Sequence, residues 1–475
     1  MSTSSFSAIV LAAGQGTRMK SKLPKVLHPV AGKPIVNWPV NAALEAGATR
    51  VVVVVGHLAD SVREVLGQHF GSNVETALQP EQRGTGDAVR CGLAPLQGTQ
   101  GYVVILNGDI PLLPTRAVTA LVDAATHSKK PLSMLTGVIA DATGYGRMIR
   151  DAAGNVVGVR EHRDCTPEEL TIREMNPGVY CAEVAFLEKS LANLRPQNAQ
   201  KELYLTDIVS AAALDGGVAS ITWSMDDLHG INDRFELSQV DRAMRLRIAE
   251  KHARGGVSIR DPQRTTIDAD VEIGADTTIE ANVTLRGKTT IGEGAFIDVG
   301  CVLDEVVVLA GARLKPYTVA TQSEIGERAQ VGPFSHLRPK SKLGPDAHIG
   351  NYVETKETTL GARSKANHLA YLGNGVIGED VNVGAGTIFC NYDGFQKHTT
   401  TLEDGVFIGS DSQLVAPVRV GKNAYVATST TVTKDVPADA LAISRVKQEN
   451  KDGYGKKLRG AMQARKDAAK KGSAT

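Results

Sequence analysis

An aliphatic residue recurs at six-residue spacing through most of the second half of this chain. A period of six matches neither the turn of an α-helix nor the simple alternation of a strand. It indicates a hexapeptide solenoid, in which each repeat turns one aliphatic side chain inward and stacked coils bury a continuous column. The positions are Ile273, Ile279, Leu285, Ile291, Ile297, Leu303 and Leu309, then Ile325, Val331, Leu337, Leu343 and Ile349, then Ile377 and Val383, and finally Ile408, Leu414, Val420, Val426 and Val432.

Hexapeptide repeats resemble those of the left-handed parallel β-helix, in which three repeats form one triangular coil. Coils spaced like hydrogen-bonded strands would make a prism about 40 Å long. Proteins with this helix are commonly trimers, and one interpretation is that the solenoid only holds subunits together. However, the period is interrupted between Ile349 and Ile377 and again after Val383. We interpret these polar interruptions as the places where a function is added.

The first half of the chain alternates short β-branched runs with segments of helical length. The runs are "SAIVLAA" near the N-terminus, "RVVVVVG" at residues 50–56 and "YVVILNGD" at residues 102–109. Such continuous apolar strands predict a Rossmann-like, mostly parallel sheet covered by helices on both faces. Ligands of these sheets bind at the carboxyl ends of the strands, which is where Gly14 and Asp109 fall.

A long helix is predicted between the two halves. Asp233 can cap it with Glu236 three residues later, and the glycine pair at residues 255–256 ends it. Its apolar face contains Leu237, Val240, Met244 and Ile248. The expected domains are an α/β unit at residues 1–232, a helical linker at 233–256, a β-helix at 257–446 and a tail at 447–475. The Lys-rich tail could attract an anion such as the phosphates of a coenzyme, but a flexible end is the simpler expectation.

Composition disfavours several classes of partner. The chain has 475 residues with 53 Lys plus Arg and 52 Asp plus Glu, so a net charge of +1 gives no general attraction for nucleic acid or an anionic membrane. The five cysteines are scattered and never form C-x-x-C, which disfavours a disulfide framework and a structural zinc site. The N-terminus lacks a basic signal region, and no apolar stretch approaches the roughly 20 residues of a membrane span. We expect a cytoplasmic protein that binds neither nucleic acid nor membrane.

A Gly-rich loop, "LAAGQGTRMKSKLPK" at residues 11–25, follows the first predicted strand. It begins like a dinucleotide-binding loop, but Met19 stands where G-x-G-x-x-G needs its third glycine. The run L-A-A-G-x-G-T-R-M followed by Pro-Lys instead resembles the signature of the sugar-1-phosphate nucleotidyltransferases. Such an enzyme must hold a nucleoside triphosphate while pyrophosphate leaves. Glycines let backbone N–H groups approach phosphate oxygens, and Arg18 and Lys25 would neutralise the charge that accumulates.

Phosphoryl chemistry of this kind needs alignment and neutralisation more than acid-base catalysis, so Mg²⁺ is expected. Asp109 is the best candidate ligand, because Mg²⁺ prefers one or two protein oxygens together with phosphate and water. The resemblance implies Asn232, in "HGINDR", as a second ligand. It also implies that nucleotide and sugar are bound by Leu11, Ala12, Ala13, Gly14 and Lys25; by Gln79, Gly84 and Thr85, which read the uracil of UTP; by Asn107, Gly108, Asp109 and Asn232; and by Gly146, Glu161 and Asn176, which hold N-acetylglucosamine.

The interruptions of the hexapeptide period contain a second set of candidate residues. The first has His368 and Tyr371 in an H-x-x-Y-x-G context, and the second has Asn391 and Tyr392. With these residues the chain resembles, over about residues 6–447, the bacterial bifunctional enzymes that combine UDP-N-acetylglucosamine pyrophosphorylase with glucosamine-1-phosphate acetyltransferase. Acetyl transfer to an amine needs a base, because an ammonium group is not a nucleophile. Histidine suits this task near pH 7.

His368 is therefore the candidate general base, with Glu354 as a possible orienting group. The resemblance implies that Arg338 and Lys356 clamp the sugar phosphate, for which a guanidinium fork is well shaped. It implies sugar contacts from Tyr371, Asn382 and Asn391, and an acetyl-CoA site lined by Ala385, Asn391, Tyr392, Ser410, Thr428 and Arg445. In the family this second site is completed between subunits of a homotrimer. The expected product is UDP-N-acetylglucosamine, a precursor of bacterial peptidoglycan and lipopolysaccharide, made by acetylation and then uridylylation.

Two alternatives remain open from the sequence. In the first, the β-helix is regulatory, as in pyrophosphorylases that build ADP-glucose or GDP-mannose. His368 and the loop with Asn391 and Tyr392 argue against it, since a regulatory helix does not need them. In the second, the chain is a non-catalytic assembly subunit that retains both folds, against which the intact Lys25, Asp109 and His368 argue.

Overall fold

The computed structural model describes residues 5–472, and for residues 471–472 only the backbone. The ends of the predicted first domain and of the predicted tail, residues 1–4 and 473–475, lie outside the described residues. The chain divides into two compact units, one up to Thr290 and one from Ile291. The first short coils of the predicted β-helix therefore belong to the first unit. There the N–H of Ala269 donates to the carbonyl of Ala31 at 2.9 Å, and Lys33 pairs with Asp270 at 2.6 Å.

The first unit is built on a ten-stranded sheet whose central strands are parallel. Phe6–Ala12 lies between Arg50–Val55 and Tyr102–Asn107, and the three run in the same direction. In spatial order the strands are Glu75–Leu78, Arg50–Val55, Phe6–Ala12, Tyr102–Asn107, Tyr180–Glu183, Leu132–Val138, Glu174–Asn176, Gly146–Arg150 and Val156–Arg160, with Val218–Thr222 paired to Leu132–Val138. Antiparallel pairing begins where Tyr180–Glu183 joins the parallel core.

Helices cover both faces of this sheet, which confirms the layered arrangement predicted from its apolar runs. Successive residues of a strand enter opposite cores, so Ala8 and Val10 face one layer and Ile9 faces the other. One layer is formed by the helices Asn37–Glu45, Ala59–Phe70 and Thr115–Ser128, and the other by Thr85–Leu93, Val184–Asn193 and Asp207–Leu214. A short hairpin, Pro29–Val30 with Lys33–Pro34, and a short helix, Met225–Leu228, complete the unit.

The predicted linker forms the helix Arg234–Arg254. The Asp233 carboxylate caps it by accepting hydrogen bonds from the N–H groups of Phe235 and Glu236 at 2.8 and 2.9 Å, as the sequence predicts. Val240 and Met244 pack into a small core beside the Gly-rich loop. The helix therefore packs closely on the first unit rather than standing free.

The β-helix predicted from the period of six is confirmed, and it consists of short strands that follow one another along the chain. Their bounds are Ser258–Ile259, Thr266–Ile267, Glu272–Ile273, Thr278–Ile279, Thr284–Arg286, Thr290–Ile291, Phe296–Ile297, Val302–Asp304, Val307–Val308, Arg313–Leu314, Val319–Thr321, Glu324–Ile325, Gln330–Val331, His336–Leu337, Lys342–Leu343, His348–Lys356, Thr359–Leu360, Lys365–Gly373, Gly375–Ile377, Asn382–Val383, Ile388–Cys390, Thr400–Leu402, Phe407–Ile408, Gln413–Val415, Val418–Val420, Tyr425–Val426, Thr431–Val432 and Leu441–Ala442.

In the second unit the inward residues form three columns, one for each face of the coil, and every member is buried. The columns are Ile291, Val308, Ile325, Leu343, Leu360, Ile377, Leu402 and Val420; Ile297, Leu314, Val331, Ile349, Ala366, Val383, Ile408 and Val426; and Leu303, Ala320, Leu337, Thr355, Leu372, Phe389, Leu414 and Val432. Parallel pairing one coil apart holds each column together.

One predicted inward position is wrong because some repeats are a residue shorter. Val308, not Leu309, is buried in the column, and Leu309 is only half-buried. In a shorter repeat, the left-handed turn residue comes one position sooner after the inward residue than it does in a six-residue repeat. Glu305, with φ 55°, is such a turn residue and follows the inward residue Leu303. A strict period of six cannot detect these shorter repeats.

The predicted interruption between Ile349 and Ile377 is also wrong, because the coil continues through it. The strands His348–Lys356 and Lys365–Gly373 pair in parallel along their whole length. Small or polar side chains such as Thr355 and Ala366 occupy inward positions there, so the sequence loses its aliphatic signal. The second interruption is confirmed: residues 391–398 leave the coil, and an antiparallel bridge joins Tyr392 to Lys397.

The flexibility expected of the tail stays a prediction. Tyr454–Gly472 is an exposed helix, rich in alanine, lysine and arginine, which favour helix even without tertiary packing. Within residues 5–472, no helix combines the length and the apolar character that crossing a membrane requires.

Candidate active sites

The Gly-rich loop lies at the carboxyl end of the parallel sheet, as predicted. Leu11 is in register with Asn107 on the next strand, and its carbonyl accepts a hydrogen bond from the Gly108 N–H at 2.9 Å. A pocket of about 300 Å³ opens there. It is lined by Leu11, Ala12, Ala13, Gly14, Lys25, Gln79, Gly84, Thr85, Asn107 and Asp109 among the predicted residues, and also by Val26, Gln82, Ala88 and Glu202.

Two cations of the loop meet the two candidate metal ligands. The Lys25 ammonium lies 2.6 Å from an Asp109 carboxylate oxygen, with the two side chains 14% and 23% exposed. The Arg18 guanidinium donates to the Asn232 amide oxygen at 2.7 Å, across 214 positions of sequence. Four residues that the sequence placed in one site therefore form two neighbouring pairs. The Ile231 N–H donates to the Asp109 backbone carbonyl at 3.0 Å, which joins the strand end to the segment that holds Asn232.

This oxygen set fits a hard divalent cation. Asp109 supplies a carboxylate and Asn232 an amide oxygen, and Mg²⁺ takes few protein oxygens when phosphates and water fill its remaining positions. Within residues 5–472 no cluster of three or more His, Cys, Asp or Glu side chains is arranged to hold a metal by itself.

The segment predicted to read uracil lines this pocket. Gly84, with φ 112°, leads into the helix Thr85–Leu93, and a Cβ there would lie 2.6 Å from the carbonyl of Leu203, so glycine is required. The Thr85 hydroxyl accepts a hydrogen bond from the Leu205 N–H at 3.0 Å. The Gln79 amide is buried beside Gly84 and faces Asp87.

The three residues expected to hold N-acetylglucosamine lie together. Asn176 is in register with Gly146, and a Cβ on Gly146 would come within 3.7 Å of the Glu161 carboxyl carbon. Burial raises the pKa of Glu161, although a hydrogen bond from the Thr206 hydroxyl at 3.1 Å opposes the shift. The Asn176 side chain donates to the Tyr180 hydroxyl at 2.6 Å.

Some residues of this first site were missed from the sequence. Gln82 donates its amide to the Ala13 carbonyl at 2.7 Å, and Glu202 lines the pocket next to Gly84. Asp87 lies in the first turn of the helix that begins at Thr85, directly behind Gln79. The run "GTGDA" contains Asp87, but only the fold brings it to Gln79.

In the second unit, His368 stands on a corner of a regular coil. It is exposed, it directly precedes the left-handed turn residue Leu369 with φ 41°, and it is in register with Asn351 one coil earlier. The same corner position in successive coils is occupied by Asn351, His368, Ala385, Ser410 and Thr428, each directly before a residue of positive φ. The predicted base and three predicted acetyl-CoA residues therefore form one column along the β-helix.

The column ends near Arg445, whose guanidinium donates to the Thr428 carbonyl at 3.2 Å. Backbone bonds tie its members together: the Asp411 N–H donates to the Ala385 carbonyl at 2.7 Å, and the Ser429 N–H to the Ser410 carbonyl at 2.9 Å.

The candidate sugar-phosphate residues lie mostly on one face beside this corner. Arg338 donates to the Glu354 carboxylate at 2.8 Å, and Glu354 is in register with Tyr371. Lys356 is in register with Gly373, over which the Tyr371 hydroxyl and the Asn391 amide both lie. Asn382 is on the adjoining face, in register with Lys365. Glu354 thus contacts Arg338, and within the described chain no hydrogen bond joins it to His368.

The excursion at residues 391–398 is anchored at its base and exposed at its tip. Asn391 is buried and donates to the Asn374 side chain at 2.7 Å. Tyr392 is 56% exposed, with the Lys397 ammonium 4.5 Å above its ring. Phe395, at the tip, is 93% exposed.

Comparison with known proteins connects both halves to the same relatives. A family model described as a MobA-like NTP transferase domain matches residues 8–160. The chain is 57% identical to the bifunctional protein GlmU of Sorangium cellulosum over 98% of each chain. It is 46% identical to the bifunctional protein GlmU of Trichlorobacter lovleyi, over 94% of this chain and 97% of that protein. It is also 46% identical to the bifunctional protein GlmU of Geobacter sulfurreducens, over 94% of this chain and 98% of that protein.

Proposed function

The chain belongs to the family of bifunctional GlmU proteins, and from this membership we propose that it makes UDP-N-acetylglucosamine in two steps at two separate sites. The β-helix transfers an acetyl group from acetyl-CoA to glucosamine-1-phosphate. The N-terminal unit then transfers the uridylyl group of UTP to N-acetylglucosamine-1-phosphate and releases pyrophosphate. The product supplies bacterial peptidoglycan and lipopolysaccharide synthesis.

In the first step the free amine of the sugar attacks the thioester carbonyl carbon of acetyl-CoA. A C–N bond forms, the C–S bond breaks, and the coenzyme leaves as its thiol. His368 accepts the proton that the nitrogen loses and returns it to the departing sulfur, and its exposed corner position lets a substrate reach the ring. Arg338 and Lys356 hold the sugar phosphate, with Glu354 keeping the Arg338 guanidinium in place at 2.8 Å.

Further residues position the two substrates of this step. The sugar contacts are Tyr371, Asn382 and Asn391, and the acetyl-CoA contacts are Ala385, Asn391, Tyr392, Ser410, Thr428 and Arg445. The column from His368 through Ala385 and Ser410 to Thr428 supports this assignment, since a long coenzyme can lie along it with its thioester end at the base.

In the second step a phosphate oxygen of N-acetylglucosamine-1-phosphate attacks the α-phosphorus of UTP. A new P–O bond forms, the bond between the α- and β-phosphates breaks, and pyrophosphate leaves with its electron pair. Arg18 and Lys25 contact the phosphates and neutralise the charge that builds up on the leaving group. Asp109 and Asn232 would hold Mg²⁺, which supplies further charge neutralisation when bound.

The observation that carries this proposal is the meeting of Arg18 and Lys25 with Asn232 and Asp109 at the carboxyl ends of parallel strands. Gly14 and the pocket beside it give the triphosphate a place next to these charges.

We further propose a homotrimer in the cytoplasm, with no membrane or nucleic acid as partner. Tyr317, Phe334 and Tyr352 form an exposed stack on the β-helix, with ring centroids 5.3 and 5.6 Å apart, and such an apolar surface supports subunit association. The five free cysteines fit a reducing compartment. Analytical ultracentrifugation tests the trimer: a monomer at micromolar concentration would contradict it.

Replacing His368 by alanine tests whether acetylation and uridylylation depend on different residues. H368A should abolish acetylation of glucosamine-1-phosphate, because the amine loses its base, while pyrophosphate release from UTP and N-acetylglucosamine-1-phosphate continues unchanged. The matched control is His336→Ala, a histidine elsewhere on the coils, which should leave both activities intact. Acetylation at a near-normal rate in H368A would contradict the assignment of the base.

A further inference from the structure

The side chain of Gln79 has one orientation only. It is 4% exposed, and its amide nitrogen lies 3.1 Å from the Gly84 carbonyl oxygen and 3.0 Å from an Asp87 carboxylate oxygen. Both neighbours accept hydrogen bonds and neither can donate one when Asp87 is ionised. The NH₂ end of the amide must therefore face them, with one hydrogen directed at each.

The amide oxygen Oε1 is then the group left for a ligand. Within residues 5–472 no donor is hydrogen-bonded to it, and Gln79 lines the pocket at the carboxyl end of the sheet. A ligand contacting Gln79 there meets an acceptor, not a donor. Uracil offers a donor at N3–H, whereas cytosine has an acceptor at N3 and its donor on the neighbouring amino group.

We propose that Asp87 is a positioning residue that fixes the Gln79 amide with its oxygen toward the base, and that this makes the site select uracil over cytosine. The proposal rests on the proposed uridylyl transfer and names a residue that controls its base selectivity without touching the nucleotide.

The surroundings of Asp87 make this orientation rigid. Asp87 is 5% exposed and lies in the first turn of the helix Thr85–Leu93, where the helix dipole favours a negative charge. Its other carboxylate oxygen accepts a hydrogen bond from Arg90, one turn along the same helix. The Gly84 carbonyl is equally constrained, because the backbone at Gly84 is held against Leu203.

The pairing with Arg90 makes Asp87→Asn an informative change. Arg90 can only donate, so the new amide of D87N must turn its oxygen to Arg90 and its NH₂ to Gln79. Gln79 would then lie between a donor at residue 87 and the Gly84 carbonyl acceptor, so neither orientation of its amide satisfies both neighbours. The amide would no longer be fixed with its oxygen toward the base, and its rotated form would offer uracil a donor where N3–H needs an acceptor.

The test compares UTP with CTP as substrates, each with N-acetylglucosamine-1-phosphate, and as ligands in calorimetric titrations. D87N should lower the UTP-to-CTP ratio of kcat/KM by about 10- to 100-fold, the loss expected when a buried hydrogen bond is replaced by two like groups. The double variant D87N with Arg90→Ala should restore most of the ratio, because residue 87 can again turn its oxygen to Gln79. Glu81→Gln, which removes an exposed charge from the same loop, and R90A alone should leave the ratio unchanged.

The outcomes separate this proposal from the function on which it rests. If the parent protein does not turn over UTP, the proposed function fails, and the ratio of dissociation constants for UTP and CTP still decides the role of Asp87. If turnover is normal but D87N keeps the parental ratio, or R90A does not rescue it, the orienting role is refuted. If D87N does not fold, Asp87→Ala should lower the ratio to a smaller extent, and an unchanged ratio in D87A would refute the proposal equally.

Discussion

Replacing Lys25 by methionine should raise the affinity of the nucleotide-free protein for a divalent cation. Each candidate metal ligand is already occupied by a cation from the loop, Lys25 on Asp109 and Arg18 on Asn232. A metal ion arriving alone must displace the Lys25 ammonium from the Asp109 oxygen at 2.6 Å. A nucleotide would remove this competition, because its phosphates give both cations a new partner.

The size of the effect follows from the burial of the pair. With side chains 14% and 23% exposed, the Lys25–Asp109 contact is a partly buried charge-assisted hydrogen bond, for which about 1.5–3 kcal/mol is typical. Its removal corresponds to an increase of about 10- to 150-fold in metal affinity. In the parent protein, saturating UTP should increase metal affinity in the same direction.

Electron paramagnetic resonance of free Mn²⁺ measures this affinity without turnover. Lys22→Met, which removes an exposed lysine from the same loop, controls for the general loss of charge, and Lys25→Arg should stay close to the parent. Adding Asp109→Asn to K25M should abolish the gain. If K25M and K22M bind Mn²⁺ equally, Lys25 does not compete with the metal and the reasoning is wrong.

Two further predictions concern stability. Because burial raises the pKa of Glu161, the folded protein favours its protonated form and loses stability as pH rises through that raised pKa. Glu161→Gln should therefore melt higher than the parent at pH 8, with the difference shrinking toward pH 5 in thermal melts; a lower melting temperature at pH 8 would contradict this. Replacing Phe389, which is fully buried in one β-helix column, by alanine should lower the free energy of unfolding by about 3–5 kcal/mol. Replacing Phe395, which is 93% exposed, by alanine should lower it by less than about 0.5 kcal/mol. Urea unfolding followed by circular dichroism measures both changes, and equal losses would refute the assigned column.

The sequence predicts the β-helix because one buried position per repeat leaves a direct signal. That signal weakens where the inward residue is small or polar, as at Thr355 and Ala366, and where a shorter repeat moves the buried position from Leu309 to Val308. The shorter turn at Glu305 reduces the spacing between Leu303 and Val308, and a search for a strict period of six overlooks it.

The contacts within the candidate sites could likewise be predicted only in part from the sequence. The motif around Lys25 identifies the residue types that a triphosphate needs, but not that Arg18 would bond to Asn232. Such a contact depends on how the helix Arg234–Arg254 packs on the first unit. Asp87 was missed because its importance comes from the orientation of a neighbouring amide, a property of geometry that no residue pattern contains.

Product analysis with single components omitted tests most directly whether this chain carries out both steps. The protein is supplied with glucosamine-1-phosphate, acetyl-CoA, UTP and Mg²⁺, and the products are identified by mass spectrometry. We predict UDP-N-acetylglucosamine, free coenzyme A and pyrophosphate with all components present. When UTP is omitted we predict N-acetylglucosamine-1-phosphate and free coenzyme A without pyrophosphate, and when acetyl-CoA is omitted no UDP-N-acetylglucosamine. Absence of the acetylated sugar when only UTP is withheld would contradict a catalytic β-helix and leave the chain at most a nucleotidyltransferase.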